Sequence, residues 1–257
     1  MPIIYELHDS VALVRLERPE KLNALTRRAL EELGETFERI ARERRVRCVI
    51  LTGAGERAFS AGTDIGELSV LDTEEARRAV ERGQHVCDLI EHCGVPVIAA
   101  VNGLAAGGGC ELVLACHLRI ASESARFSLP EIKLGLIPAY GGTQRLARAT
   151  GSGRALEMML TGAGISADEA LRVGLVNRIV APAELLSEAE RTAREIASLA
   201  PLAIRACLDA VTRGISLPLE EGLKLEAELF SRLFATEDMR EGTRAFLEKR
   251  APVFKGK

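Results

Sequence analysis

Ala106-Gly107-Gly108-Gly109-Cys110-Glu111 runs directly into the apolar stretch Leu112-Val113-Leu114-Ala115-Cys116. Three consecutive glycines leave bare backbone at the start of a helix-like segment, where the first peptide N–H groups have no intrahelical partner. Such groups bind anions and stabilise developing oxyanions. Glu111 falls one turn inside the run, and Pro130-Glu131 brings a second carboxyl further along the chain. An amide cradle with an acid and a base beside it reads as a site that activates a carbonyl compound and moves protons next to it. The same glycines would also suit close packing of a helix, and an acid in a first turn is favoured by the helix dipole alone. The motifs elsewhere in the chain decide between the two.

Composition narrows the classes. The 257 residues suffice for one large domain or two smaller ones, with 47% apolar and 28% charged residues, as in a globular protein. The formal charge is −3, no basic tail is present, aromatics are 4% and Trp is absent. That leaves no electrostatic footprint or stacking platform for nucleic acid. Met1-Pro2-Ile3-Ile4-Tyr5-Glu6-Leu7 lacks a basic segment followed by a long apolar run, so no export signal is expected. Val95 to Val101 is too short to span a bilayer and contains Pro96, so no membrane association is expected. Cysteines at 48, 87, 93, 110, 116 and 207 form no CxxC pair, and His8, His85, His92 and His117 show no metal-ligand spacing. These features predict buried free thiols, no metal and a reducing, cytoplasmic setting.

Val11–Leu16, Cys48–Leu51, Val97–Val101, Leu118–Ala121 and Val176–Val180 read as strands. Thr26 to Arg44 carries Leu30, Leu33, Phe37, Ile40 and Ala41 on one helical face, and Glu74 to His92 is a second amphipathic helix. Ser166-Ala167-Asp168-Glu169 and Ser187-Glu188-Ala189-Glu190 both have the form of a capping box. The alternation predicts an α/β core over residues 1–195 and a helical C-terminal region over 196–257. In that region Leu223, Leu225, Leu229, Phe230, Leu233, Phe234 and Phe246 read as ordinary core packing, with a subunit interface as the alternative.

Taken in order, the motifs form a pattern. Arg18-Pro19-Glu20-Lys21-Leu22-Asn23-Ala24-Leu25 is followed by Phe59-Ser60-Ala61-Gly62-Thr63-Asp64-Ile65, then Ala100 to Leu112 around the glycine triplet, then Pro130-Glu131-Ile132-Lys133-Leu134-Gly135-Leu136-Ile137-Pro138. Gly141-Gly142-Thr143-Gln144-Arg145-Leu146, Ala167-Asp168-Glu169-Ala170 and Gly174-Leu175-Val176 complete it. Over nearly the whole chain this resembles the crotonase (enoyl-CoA hydratase/isomerase) family. The resemblance implies a spiral core of repeated ββα units, with C-terminal helices that pack homotrimers, commonly paired into homohexamers.

It also implies an acyl-CoA substrate whose thioester carbonyl sits between the peptide N–H groups of Thr63 and Gly108. Coenzyme A enters as part of the substrate, and no separate cofactor is expected. Glu111 and Glu131 match the two hydratase glutamates, with Glu111 assigned as base and Glu131 as acid. Together they would add water across a 2-enoyl-CoA to give a 3-hydroxyacyl-CoA, as in fatty acid β-oxidation. A Δ3,Δ2-enoyl-CoA isomerase, a specialised pathway hydratase and a non-catalytic acyl-CoA-binding module are the alternatives, and having both glutamates favours hydration. The resemblance places Lys21, Leu22, Ala61, Thr63, Asp64, Ile65, Gly66 and Gly108 around the CoA. Phe230 and Lys249 would reach the adenine and phosphates, in the same or a neighbouring subunit. Two departures stand out: Thr63, where hydratases often carry Ala, and Ala139-Tyr140, where small residues are usual. Tyr140 either lines the acyl pocket or packs on the helix that follows it.

Overall fold

The computed structural model describes residues 2–257; Met1, the start of the stretch read above for an export signal, lies outside them. The chain opens with a hairpin of β1 (Ile3–His8) and β2 (Val11–Leu16), then helix α1 (Arg27–Arg42). Two strand pairs with helices follow: β3 (Cys48–Gly53), β4 (Ala58–Ser60), α2 (Ile65–Leu68) and α3 (Thr73–Glu91); then β5 (Val97–Val101), β6 (Leu104–Ala106) and α4 (Gly108–Ala115). A third comprises β7 (Leu118–Ser122), β8 (Arg126–Ser128), a 3-10 turn (Glu131–Leu134), α5 (Gly142–Thr150) and α6 (Ser152–Thr161). The remainder is β9 (Ile165–Ser166), α7 (Ala167–Arg172), β10 (Arg178–Val180), α8 (Leu185–Ala197), α9 (Pro201–Gly214), α10 (Leu219–Leu233) and α11 (Glu237–Leu247).

In each strand pair the chain turns sharply and sends its second strand into a different sheet. The six-stranded sheet runs β1-β2-β3-β5-β7-β10 and the four-stranded sheet β4-β6-β8-β9. Apart from the β1–β2 and β8–β9 pairs, all neighbours are parallel. This is the spiral of ββα units that the resemblance implies.

The central strands β3 and β5 are buried on both faces, which is why they read as near-continuous apolar runs. Val49 and Leu51 of β3 and Val97, Ala99 and Val101 of β5 face the main core, which also takes Leu33, Phe37 and Ile40 of α1. Cys48, Ile50, Ile98 and Ala100 face the other way, onto Leu185, Ala189, Ala193 and Ala197 of α8. That alanine stripe at every fourth residue brings α8 close to the sheet. Thr26 caps α1 by accepting from the Ala29 N–H at 3.2 Å, a contact worth about 1 kcal/mol.

Several expectations change. Ser166 does cap α7, but Ser187 lies inside α8, with its hydroxyl donating to the Glu184 carbonyl at 2.9 Å. Pro182 opens a 3-10 turn that runs straight into α8, so that helix starts before the expected box. Five of the six cysteines are buried free thiols, with burial pushing Cys48 up to about 12, but Cys207 on α9 is exposed. The core-packing reading of the C-terminal leucines and phenylalanines fails within one chain. No residue of α9 or α10 is buried, α10 packs on α9, and Phe230, Phe234 and Phe246 stand exposed. Among the described residues no helix is long and apolar enough to cross a membrane.

Candidate active site

The carboxyl ends of parallel strands are where open α/β sheets present their ligand-binding loops. Three adjacent strands of the small sheet do this together. β4 ends at Ser60 and leads into Gly62-Thr63, β6 ends at Ala106 and leads into the glycine triplet, and β8 ends at Ser128 and leads into Glu131. The Gly107 N–H donates to the Ser128 carbonyl at 3.0 Å, tying the second loop to the third.

Each glycine of the triplet meets a different neighbour. Gly107 adopts φ +52°, and a Cβ there would lie 2.9 Å from the Glu131 Oε1. A Cβ on Gly108 would lie 2.9 Å from the Tyr140 ring and 3.3 Å from the Thr63 hydroxyl. One on Gly109 would collide with the Ser60 backbone. Gly62, at φ +91°, faces the same loop: a Cβ there would be 2.7 Å from the Ala106 carbonyl and 3.2 Å from the Gly108 nitrogen. Thus the peptides ahead of Thr63 and Gly108 lie against one another. The Leu25 N–H donates to the Gly62 carbonyl at 2.8 Å and the Asp64 N–H to the Leu25 carbonyl at 3.0 Å. This pairing turns the Thr63 N–H away from Leu25, while the Gly108 N–H starts α4. Neither amide donates to a backbone carbonyl among the described residues.

Glu111 is 2% exposed, so its ionisation depends on the groups around it. Its Oε1 accepts from the Tyr140 N–H at 2.7 Å and the Gly142 N–H at 2.6 Å, at the start of α5. Burial raises its pKa to about 7 against the pull of these amides, with the charge of Glu131 adding to the rise. Burial also raises Glu131, whose Oε2 is buried without a hydrogen-bond partner among the described residues. The structure therefore brings both carboxyls and both amides to one place.

Tyr140 is buried, and its ring fills the space between Gly83 of α3 and Gly108. It packs against α3 rather than on the helix that follows it. Its hydroxyl accepts from the Thr63 hydroxyl at 3.0 Å and, with Thr63, borders a 560 Å³ cavity. The packing partner of Tyr140 is thus α3 and not the following helix, and the residue also borders the cavity.

The Lys21-Leu22 turn lies beside the 61–66 loop, through the Ala61 N–H donating to the Leu22 carbonyl at 2.9 Å. Asn23 fixes that turn: it donates to the Ala54 and Ala58 carbonyls at 3.0 and 2.8 Å and accepts from the Arg18 N–H at 2.9 Å. Asp64 caps α2 by accepting from the Gly66 N–H at 3.1 Å and lies 3.6 Å from Arg18. Ile65 and Gly66 are exposed on the rim. Phe230 and Lys249 lie apart from this group, on α10 and just after α11, and Phe230 stacks edge-on with Phe234.

Sequence reasoning missed the Tyr140 and Gly142 amides that anchor Glu111. Gly141-Gly142 ahead of a helix was a second amide cradle of the same kind as the triplet, and that was the signal available. Asp88 and Glu91 of α3 and His92 just after it also lie close enough to share an ion, but both carboxylates are engaged by Arg145, at 2.9 and 2.6 Å.

Comparison with known proteins agrees with this geometry. The family model described as enoyl-CoA hydratase/isomerase matches residues 6–257. A short-chain-enoyl-CoA hydratase of Clostridium acetobutylicum is 45% identical over 96% of this chain and 95% of its own. A crotonyl-CoA hydratase of Syntrophomonas wolfei is 43% identical over 98% of this chain and 97% of its own. The crystal structure of an enoyl-CoA hydratase from Bacillus anthracis superposes with a TM-score of 0.97, at 43% identity and complete coverage of both chains. With a family match across nearly its full length and the two-sheet spiral in place, this chain belongs to the enoyl-CoA hydratase/isomerase family.

Proposed function

We propose that the protein is a hydro-lyase that adds water to a short-chain 2-enoyl-CoA, with fatty acid β-oxidation as its setting. The observation that carries this reading is the buried Glu111 carboxyl and the half-buried Glu131 carboxyl beside two preorganised peptide N–H groups. The thioester oxygen is received by the Thr63 and Gly108 amides. Glu111 takes a proton from water as the water oxygen bonds to Cβ, and the electrons of the double bond move to the thioester oxygen. Glu131 delivers a proton to Cα, closing the addition of H and OH. Glu111 is assigned the base because two N–H donors hold its carboxylate in place and its raised pKa makes it a stronger base than an ordinary glutamate. Glu131 is assigned the acid because burial favours its protonated form and, among the described residues, no donor holds its Oε2.

Lys21, Leu22, Ala61, Asp64, Ile65 and Gly66 form the rim over which the CoA would lie. Phe230 and Lys249 would reach it from a partner subunit. The exposed apolar faces of α9–α11 support assembly as a homotrimer or homohexamer, and residues 196–257 are assigned that role. Light scattering is expected to give a trimer mass or its double, and a stable monomer would contradict the assignment. The six cysteines support a reducing, cytoplasmic setting.

The deciding experiment is hydration of crotonyl-CoA, followed by loss of the conjugated enoyl chromophore. No turnover would overturn the reading. A chain-length series adds a further expectation. Removing the Tyr140 ring enlarges the cavity, so Tyr140→Ala is expected to raise kcat/KM for longer enoyl chains relative to crotonyl-CoA. The gain should be up to roughly fourfold per added methylene, the worth of about 0.8 kcal/mol of burial. An unchanged profile would leave Tyr140 with a packing role alone.

A further inference from the structure

The cavity beside Thr63 and Tyr140 lies between α1, α2 and α3. Leu25, Leu30 and Leu68 give it apolar walls, as an acyl chain requires. Its α3 wall is different: Glu75, Arg78, Ala79 and Arg82 face it at i, i+3, i+4 and i+7, one stripe of the helix. An amphipathic helix ordinarily leaves such arginines in water. Here the Arg82 Nε is buried and has no hydrogen-bond partner among the described residues.

The acids around Arg82 already have partners. Glu75 accepts from the Asp72 N–H at 3.0 Å, Glu67 accepts from the Arg27 N–H at 2.6 Å, and Glu31 pairs with Arg27 at 2.7 Å. The Tyr140 phenol, on the same cavity, accepts from Thr63 and keeps its own proton to donate. A buried donor left unmade is costly, and a guanidinium is matched best by a carboxylate. Glu67 and Glu75 also line the cavity, each with one oxygen held by a backbone N–H, and the buried donor left without a partner among the described residues is the Arg82 Nε.

We propose that Arg82 is a specificity-determining residue. With the Tyr140 hydroxyl it receives a carboxylate at the far end of the acyl group, so dicarboxylic 2-enoyl thioesters are the preferred substrates. The proposal rests on the hydratase reading above and names the substrate class for the same site.

The test compares kcat/KM for 2-hexenedioyl-CoA with that for 2-hexenoyl-CoA, the alkyl thioester of equal length. Wild type is expected to favour the dicarboxylic substrate by about tenfold or more. Arg82→Leu is expected to lower that ratio on the order of 10–100-fold, the worth of a charge-assisted hydrogen bond. Arg82→Lys, which keeps the charge without the planar fork, should restore part of it. Arg82→Gln gives the same readout should the leucine variant fold poorly. A wild-type preference for 2-hexenoyl-CoA, or a ratio unmoved in the variants, overturns the proposal. Crotonyl-CoA separates the two levels: turnover with an unmoved ratio defeats only the assignment of Arg82, whereas no turnover of any enoyl-CoA defeats the hydratase reading as well.

Discussion

Glu111→Gln and Glu131→Gln are each expected to lower kcat for crotonyl-CoA hydration by at least about 10²-fold, with thioester binding largely retained. Glutamine at 111 still offers a carbonyl oxygen to the Tyr140 and Gly142 amides, so its shape is kept while its basicity is lost. Glutamine at 131 holds no proton acidic enough to reach Cα. Because both groups serve one addition, the double variant should fall well short of the product of the two losses. Near-wild-type turnover in either single variant would end the two-carboxyl mechanism.

The pH behaviour of Glu111 adds a second readout. As a base it works in the ionised form, so kcat/KM is expected to fall as pH drops below about 7, and Glu111→Gln should lose that limb. Stability runs the opposite way. A carboxyl raised in the folded state gives stability that is fully present below the unfolded pKa and is lost as pH rises through the folded one. The rise from 4.5 to about 7 corresponds to about 3 kcal/mol. Glu111→Gln should therefore raise the Tm at mildly alkaline pH and leave it nearly unchanged below about pH 4. A variant no more stable at high pH would show that the buried charge costs the fold little.

Gly108→Val is expected to reduce activity by at least about 10²-fold without altering any charge, the usual loss for one oxyanion donor. The Tyr140 ring cannot yield to the new side chain, because it is already seated against Gly83 of α3. The displacement must fall on the Gly108 peptide instead. Thr63→Ala is the matched control. It keeps the Thr63 N–H and removes only the hydroxyl bonded to Tyr140, so its loss should stay under about tenfold. A larger loss in Thr63→Ala would mean that the hydroxyl takes part in the reaction.

What could be read from the chain, and what could not, follows from where each signal arises. β3 and β5 were legible because burial on both faces forces near-continuous apolar runs, and β2 and β7 because most of their residues are apolar and β-prone. β4, β6 and β8 span three residues each, too few for a periodicity, and they are held by their neighbours rather than by propensity. Those are the strands that carry the site. The residues of the candidate site were nonetheless legible, since its glycines and glutamates follow the strand ends in the loops and first helical turns. Arg82 was hidden because a charged residue on an amphipathic helix reads as a solvated one, and only the placement of α1 and α2 against α3 turns it inward. The C-terminal phenylalanines misled in the opposite direction, because an apolar residue reads the same whether it faces its own core or a second chain.

The division of strands between two sheets also sets an order of assembly. β4, β6 and β8 are contributed by three successive units, and their pairings join residues 58–60, 104–106 and 126–128 across long intervening segments. Such non-local contacts form late, because loop closure must be paid for before they return anything. During synthesis the hairpin, α1 and β3 can associate early, but the Glu131 carboxyl joins Gly107 only after β8 has emerged. A nascent chain stopped just short of β8 would hold most of the large sheet and both glycine loops, yet lack Glu131. The candidate site closes later still, because Glu111 is held only once the Tyr140 and Gly142 amides have emerged to donate to its Oε1.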